Sequence, residues 1–170
     1  MKLTIGHLYP DLLNLYGDRG NIQCMMKRCQ WRGIDAETIE FTLEDSIDFS
    51  SLDIVLLGGG SDREQMLVCH KLRSIRQDFQ DYVEDNGVVI AVCGGYQLLG
   101  HYYDTEEGRI EGLSRVDLHT EQGSPRLIDN IVLENSLFPH PIVGFENHGG
   151  RTYIGDNKPF GKVLYGHGNN

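Results

Sequence analysis

Long apolar runs are missing from this sequence. No stretch of about 18 hydrophobic residues occurs, so nothing in it reads as a membrane-spanning helix. Positive charge is scarce. Lys and Arg number 15 against 25 Asp and Glu, for a formal net charge of -10. Such a chain lacks the basic footprint that a nucleic-acid backbone or an anionic membrane surface selects. Small molecules and proteins are the expected partners, with no nucleic acid and no membrane insertion. A charged-then-apolar leader is absent as well. Lys2-Leu3-Thr4-Ile5 enters directly as a strand, which points to the cytosol. Cysteine is sparse and poorly spaced for metal. Cys24, Cys29, Cys69 and Cys93 form no C-x-x-C pair and no zinc-ligand pattern. The first three fall on helical stretches and read as reduced, mostly buried thiols.

What is there suits one core. A chain of 170 residues with 39% hydrophobic content supports a single domain spanning 1–170. Leu3 to Leu8 is a short strand, followed by a polar loop from Pro10 to Gly20. Ile22, Met25, Met26 and Cys29 recur at helical spacing and define one face of a helix that Gly33 ends. Ala36 to Phe41 alternates as an edge strand does. Asp53 to Leu57 and Val88 to Val92 are compact apolar runs, each running into glycines. They read as strands buried on both faces of a parallel sheet. Between them Leu72, Ile75, Phe79, Tyr82 and Val83 keep a helical period up to Asn86-Gly87. Strands alternating with helices predict a three-layer α/β fold of the flavodoxin-like kind, with a mostly parallel, doubly wound sheet. Ligands collect at the carboxyl ends of such strands, where both glycine clusters lie. Beyond residue 103 the texture becomes β-rich. The turn-rich segments Thr105 to Arg109 and Gln122 to Arg126 separate short candidate strands at 131–133, 142–145 and 151–154.

The chemistry concentrates in Val88-Val89-Ile90-Ala91-Val92-Cys93-Gly94-Gly95-Tyr96-Gln97. A buried strand runs into a nucleophile, two glycines and a helix, which is the mechanical layout of a nucleophile elbow. The following helix N-terminus favours the thiolate of Cys93. The Gly94 N–H is placed to donate to an oxyanion. Gly58-Gly59-Gly60-Ser61-Asp62 is not followed by Gly-Lys-Ser/Thr, so it is no nucleotide loop. Its backbone N–H groups are candidates for the other half of an oxyanion hole.

Together these runs resemble the class I glutamine amidotransferases of the CobB/CobQ-like branch. Asn14 to Asn21, Gly59 to Gln65 and Gly144 to Tyr153 are similar to the GatD-type subunits of lipid II isoglutaminyl synthases. The resemblance implies hydrolysis of L-glutamine to glutamate and ammonia through a thioester on Cys93. Gly59, Gly60 and Gly94 would hold the oxyanion, and Gln97 would lie near the substrate. Arg126 would bind the glutamine through its α-carboxylate, a task that suits a planar guanidinium. Asp18 would contact a partner or steer ammonia. The implied partner is a MurT-like ATP-dependent Mur ligase that amidates the D-glutamate of lipid II in a bacterial cytoplasm. ATP and Mg would belong to that ligase, with no cofactor in this chain. Cobyrinate-type amidation uses related glutaminases and is the alternative acceptor chemistry.

The family's histidine base lies in a Tyr-Leu-His-Gly segment, and no such segment occurs here. The resemblance therefore implies a base beyond Asn170 and a C-terminal portion not included in these 170 residues. Without it the chain would be a weak or inactive glutaminase, or a module that binds glutamine or a partner. His148, in Glu146-Asn147-His148-Gly149-Gly150, is the in-chain candidate, though the motif reads more readily as structural. A hydrolase of the PfpI type shares the elbow but not the Cys93 to Gln97 run.

Overall fold

The computed structural model describes residues 2–15 and 18–169. The chain divides into two compact units, Met1–Leu99 and Gly100–Asn170. In the first, β1 (Lys2–Leu8), β2 (Asp35–Phe41), β3 (Ile54–Leu57) and β4 (Val88–Ala91) form one sheet in the order β2-β1-β3-β4. Every pairing in it is parallel. Each connection between parallel strands needs a crossover. These are supplied by α1 (Asp18–Trp31), by a 3-10 turn at Phe49–Ser51, and by α2 (Asp62–Ser74) followed by α3 (Arg76–Glu84). The short helix α4 (Gly94–Leu99) follows β4.

Burial follows the apolar pattern. Val55, Leu56 and Leu57 are consecutive and all fully buried, so β3 is covered on both faces. The half-buried residues of α1 include Ile22, Met25, Met26 and Cys29, the face the spacing predicts. Gly33 ends the turn after α1 with φ +66. Helix α2 opens on a capping box. The Ser61 hydroxyl accepts from the Glu64 N–H, and the Glu64 carboxylate accepts from the Ser61 N–H.

Three expectations are corrected. β4 is not buried on both faces: Val88 is exposed and the rest half-buried, and among the described residues β4 pairs with β3 alone. The long helical period is two helices, broken at Ile75. Cys24 is exposed and Cys29 half-buried, leaving Cys69 as the one buried thiol. No helix among the described residues is long and apolar enough to cross a membrane.

The second unit is one mixed sheet. It contains β5 (Tyr102–Thr105), β6 (Gly108–Glu111), β7 (His119–Glu134), β8 (Ile142–Tyr153) and β9 (Lys162–Tyr165). The turn expected at 105–109 joins β5 to β6 as a hairpin, two strands the sequence reading did not name. The segment 122–126 does not separate two strands. It is an irregular stretch inside β7, where the pairing with β8 shifts register between Gln122 and Leu127. Pro125 has no N–H to give the ladder, so the strand yields there without ending. The candidates at 142–145 and 151–154 likewise merge into β8.

Candidate active site

Cys93 leaves the sheet in a left-handed conformation, φ +52, directly before α4. For a side chain with a Cβ that conformation is strained, and surrounding contacts must enforce it. They do so through backbone. The Val92 N–H donates to the Leu57 carbonyl at 2.9 Å, and the Gly95 N–H donates to the carbonyls of Gly58 and Val92, both at 3.0 Å. The Gln97 N–H donates to the Cys93 carbonyl at 3.1 Å. Gly95 allows the approach: a Cβ there would lie 2.4 Å from the Leu57 carbonyl oxygen and 2.6 Å from that of Gly58. The result is an exposed thiol on a buried turn. Gln97 is half-buried one turn further along α4.

The glycine run at the end of β3 is three peptide planes held in series. The Gly58 carbonyl accepts from Gly95, and the Gly59 N–H donates to Asp18 Oδ2 at 3.4 Å. The Gly59 carbonyl accepts from the Leu15 N–H at 3.1 Å. The Gly60 carbonyl accepts from Gln65 Nε2 at 2.8 Å, and the next N–H, of Ser61, donates to Glu64. Among the described residues the Gly60 N–H has no acceptor. The expected glycine donors are thereby distinguished. Gly59 already serves Asp18, whereas the Gly60 and Gly94 N–H groups can serve an incoming anion. Asp18 itself is fully buried at the start of α1. Its carboxylate faces the glycine turn.

Arg126 lies in the second unit, on the exposed irregular stretch of β7. Its Nε donates to Asn147 Oδ1 at 2.6 Å and its Nη2 to the Asn147 carbonyl at 3.2 Å. Asn147 thus fixes the guanidinium plane and leaves Nη1 available. His148 is engaged on both sides. Its Nδ1 lies 2.9 Å from the Gly150 carbonyl oxygen and its Nε2 lies 3.0 Å from Glu146 Oε2. Both ring nitrogens thus face oxygen atoms of the second unit's own strand β8. These two contacts tie His148, the in-chain candidate for the base, into the Glu146–Gly150 run, as the structural reading of that motif expects. Glu146 is buried and also accepts the backbone N–H groups of His167 at 2.6 Å and Gly168 at 3.0 Å.

The sequence profile of the CobB/CobQ-like glutamine amidotransferase domain matches residues 4–170. The chain belongs to this family. The glutamine-hydrolysing subunit GatD of lipid II isoglutaminyl synthase from Staphylococcus aureus is 44% identical over 170 residues, covering 99% of this chain and 69% of that protein. The Streptococcus pneumoniae counterpart is 41% identical, covering 99% of this chain and 66% of that protein. This chain therefore spans about two thirds of their length. A cobyric acid synthase from Listeria innocua is 30% identical over 132 residues, 72% of this chain and 25% of that protein. A solved glutamine amidotransferase structure shares the fold with a TM-score of 0.54 at 15% identity, covering 89% of this chain and 75% of that one.

In this amidotransferase domain the Glu146-Asn147-His148 run is thus a fastening for the last described residues and for Arg126. Burial by itself would raise the Glu146 carboxyl, but the His167 N–H, the His148 ring and the Gly168 N–H outweigh it and hold the group below its ordinary value of 4.5. A carboxyl depressed in the folded state contributes stability above its unfolded pKa and loses it as pH falls through the folded one. Thermal midpoints measured from pH 7 to pH 3 are expected to fall below about pH 4.5, and Glu146→Gln should flatten that fall. Parallel profiles for the two proteins would show that Glu146 is not responsible.

Proposed function

We propose that this chain is the glutaminase part of a lipid II isoglutaminyl synthase. It hydrolyses L-glutamine and supplies ammonia to a MurT-like ATP-dependent ligase that amidates the D-glutamate of lipid II. The observation that carries the reading is the exposed Cys93 on an elbow hydrogen-bonded to the glycine run. The thiolate attacks the side-chain carboxamide carbon of glutamine. The carbonyl π electrons move to oxygen, and the Gly94 and Gly60 N–H groups receive that oxyanion. The C–N bond then breaks, and nitrogen takes a proton and leaves as ammonia. Water adds to the thioester, the C–S bond breaks, and glutamate leaves with the thiol restored. Arg126 holds the α-carboxylate, Gln97 lies near the substrate, and Asp18 sets the glycine turn along the ammonia path. The proton carrier is assigned to a histidine outside residues 1–170, since His148 is engaged on both nitrogens. GatD subunits match nearly all of this chain at higher identity than the cobyric acid synthases do, which favours the cell-wall acceptor over the cobyrinate-type one.

The test is covalent labelling by 6-diazo-5-oxo-norleucine, read by peptide mass spectrometry with and without the MurT-like ligase. One adduct is expected, on Cys93, with loss of glutamine-dependent lipid II amidation in step. Absence of the adduct under both conditions would leave a binding module and end the catalytic reading.

A further inference from the structure

The side chain that joins the two halves of the oxyanion site lies outside both glycine clusters. Gln65 stands on the first turn of α2 and is 3% exposed. Its Nε2 donates to the Gly60 carbonyl at 2.8 Å. Because that carbonyl can only accept, the orientation of the amide is set by its partner. The other face of the same amide lies against the elbow. A Cβ built on Gly94 would come within 2.4 Å of Gln65 Cδ and Nε2, and within 2.7 Å of Oε1. One planar group therefore touches the Gly60 peptide through a hydrogen bond and the Gly94 Cα through van der Waals contact.

The Gly60 carbonyl belongs to the peptide whose N–H is that of Ser61, and the Ser61 N–H is held by Glu64 at 2.9 Å. Gln65 and Glu64 thus grip that peptide plane at both ends. With the Gly59 carbonyl pinned by Leu15, the torsions on either side of Gly60 have little freedom, and the direction of its N–H is set. Gln65 Oε1 meanwhile is buried with no hydrogen-bond donor. A buried carbonyl oxygen without a donor costs free energy. An apolar side chain of the same length would fill the space over Gly94 without that cost. What it would lack is the bond to Gly60.

We infer that Gln65 is a positioning residue for glutamine hydrolysis: it aligns the Gly60 N–H with the Gly94 N–H so that both point at one oxyanion. The inference rests on the glutaminase reading above. Gln65 touches no reacting atom. Its effect falls on the tetrahedral state and not on ground-state glutamine, because the two N–H groups act mainly on charge that develops in the transition state.

The test compares wild type with Gln65→Met, which keeps length and volume, and with Gln65→Leu, each assayed with the ligase partner. Active-site concentration is set by the amount of 6-diazo-5-oxo-norleucine adduct formed on Cys93 at completion. Misalignment on the scale of an ångström is expected to lower kcat per labelled site by roughly 10- to 100-fold. KM for glutamine should change by less than about threefold, since ground-state contacts are untouched. Binding of glutamate γ-semialdehyde, which forms a tetrahedral adduct with the thiol, should weaken by the same factor as kcat. A merely structural role would reduce the labelled fraction and leave kcat per site and aldehyde affinity unchanged; that result overturns the inference. A wild-type protein that labels and turns over normally, beside variants that match it, overturns the inference alone. A wild type that neither labels Cys93 nor binds the aldehyde overturns the functional reading and this inference with it.

Discussion

Replacing Cys93 with alanine is expected to lower glutamine hydrolysis by on the order of 10⁴-fold or more while leaving the fold intact. The size follows from removing the atom that forms the thioester. Without it, no rearrangement of hydrogen-bond donors restores a covalent route. The fold survives because the elbow is held by backbone bonds from Val92, Gly95 and Gln97, none of which uses the thiol. Alanine keeps the strain of φ +52, so any change in its urea midpoint reports the contacts of the sulfur and not the backbone. Glycine does not keep it. Cys93→Gly is expected to be equally inactive yet about 1 kcal/mol more stable, the typical relief when a side chain leaves the left-handed region. The pair separates two properties of one residue. Alanine tests whether the sulfur is the nucleophile, and glycine tests whether the backbone stores strain to present it. Retention of more than about one hundredth of wild-type turnover in Cys93→Ala would remove Cys93 from the mechanism.

Both the elbow and the parallel sheet were legible because they depend on local patterns. Val55-Leu56-Leu57 is apolar on consecutive residues, which only a strand covered on both faces requires. Val88 to Val92 carries the same pattern, and there it misleads. Composition reports that a strand can be buried, whereas which strands lie beside it among the described residues is a property of topology. The period through Ile75 misleads for a related reason. Two helices in succession keep nearly the same apolar phase, so the break leaves no gap in the spacing. Gln122 to Arg126 holds glycine, serine and proline and reads as a turn. Pairing with β8 on either side carries the strand through it as a register shift. At the site, Cys93 and the glycines announce themselves by type and order. Gln65 does not, since a glutamine on a helix is ordinary until the Cα of Gly94 is found against it. Asn147 stands beside His148 in the Glu146 to Gly150 run, but nothing in that run marks it as the residue that fixes the plane of the Arg126 guanidinium.

Among the glycines, Gly95 is expected to be the least replaceable, and Gly95→Ala should destabilise the first unit by about 3 kcal/mol or more. Three atoms decide this. The new Cβ would stand 2.4 Å from the Leu57 carbonyl oxygen, 2.6 Å from the Gly58 carbonyl oxygen and 2.9 Å from the Leu57 carbonyl carbon. All are main chain at the end of β3, whose residues Val55 to Leu57 are fully buried, so no rotamer change relieves the contact. Either α4 or the glycine run must move, and the Gly95 N–H bond to Gly58 is lost in either case. Gly20 in α1 supplies the contrast, because a Cβ there meets nothing within 4 Å. Gly20→Ala is expected to be neutral or to stabilise by up to about 1 kcal/mol, the ordinary gain of alanine over glycine in a helix. Urea unfolding of both variants checks the difference. A Gly95→Ala protein with the wild-type midpoint would show that the close packing of elbow on glycine run is not a feature of the folded chain. If the midpoint falls as expected, residual folded protein should also hydrolyse glutamine poorly. The displacement that removes the clash separates the Gly94 N–H from the Gly60 N–H, so the close packing of Gly95 on the end of β3 also sets the spacing of the two N–H groups proposed as oxyanion donors.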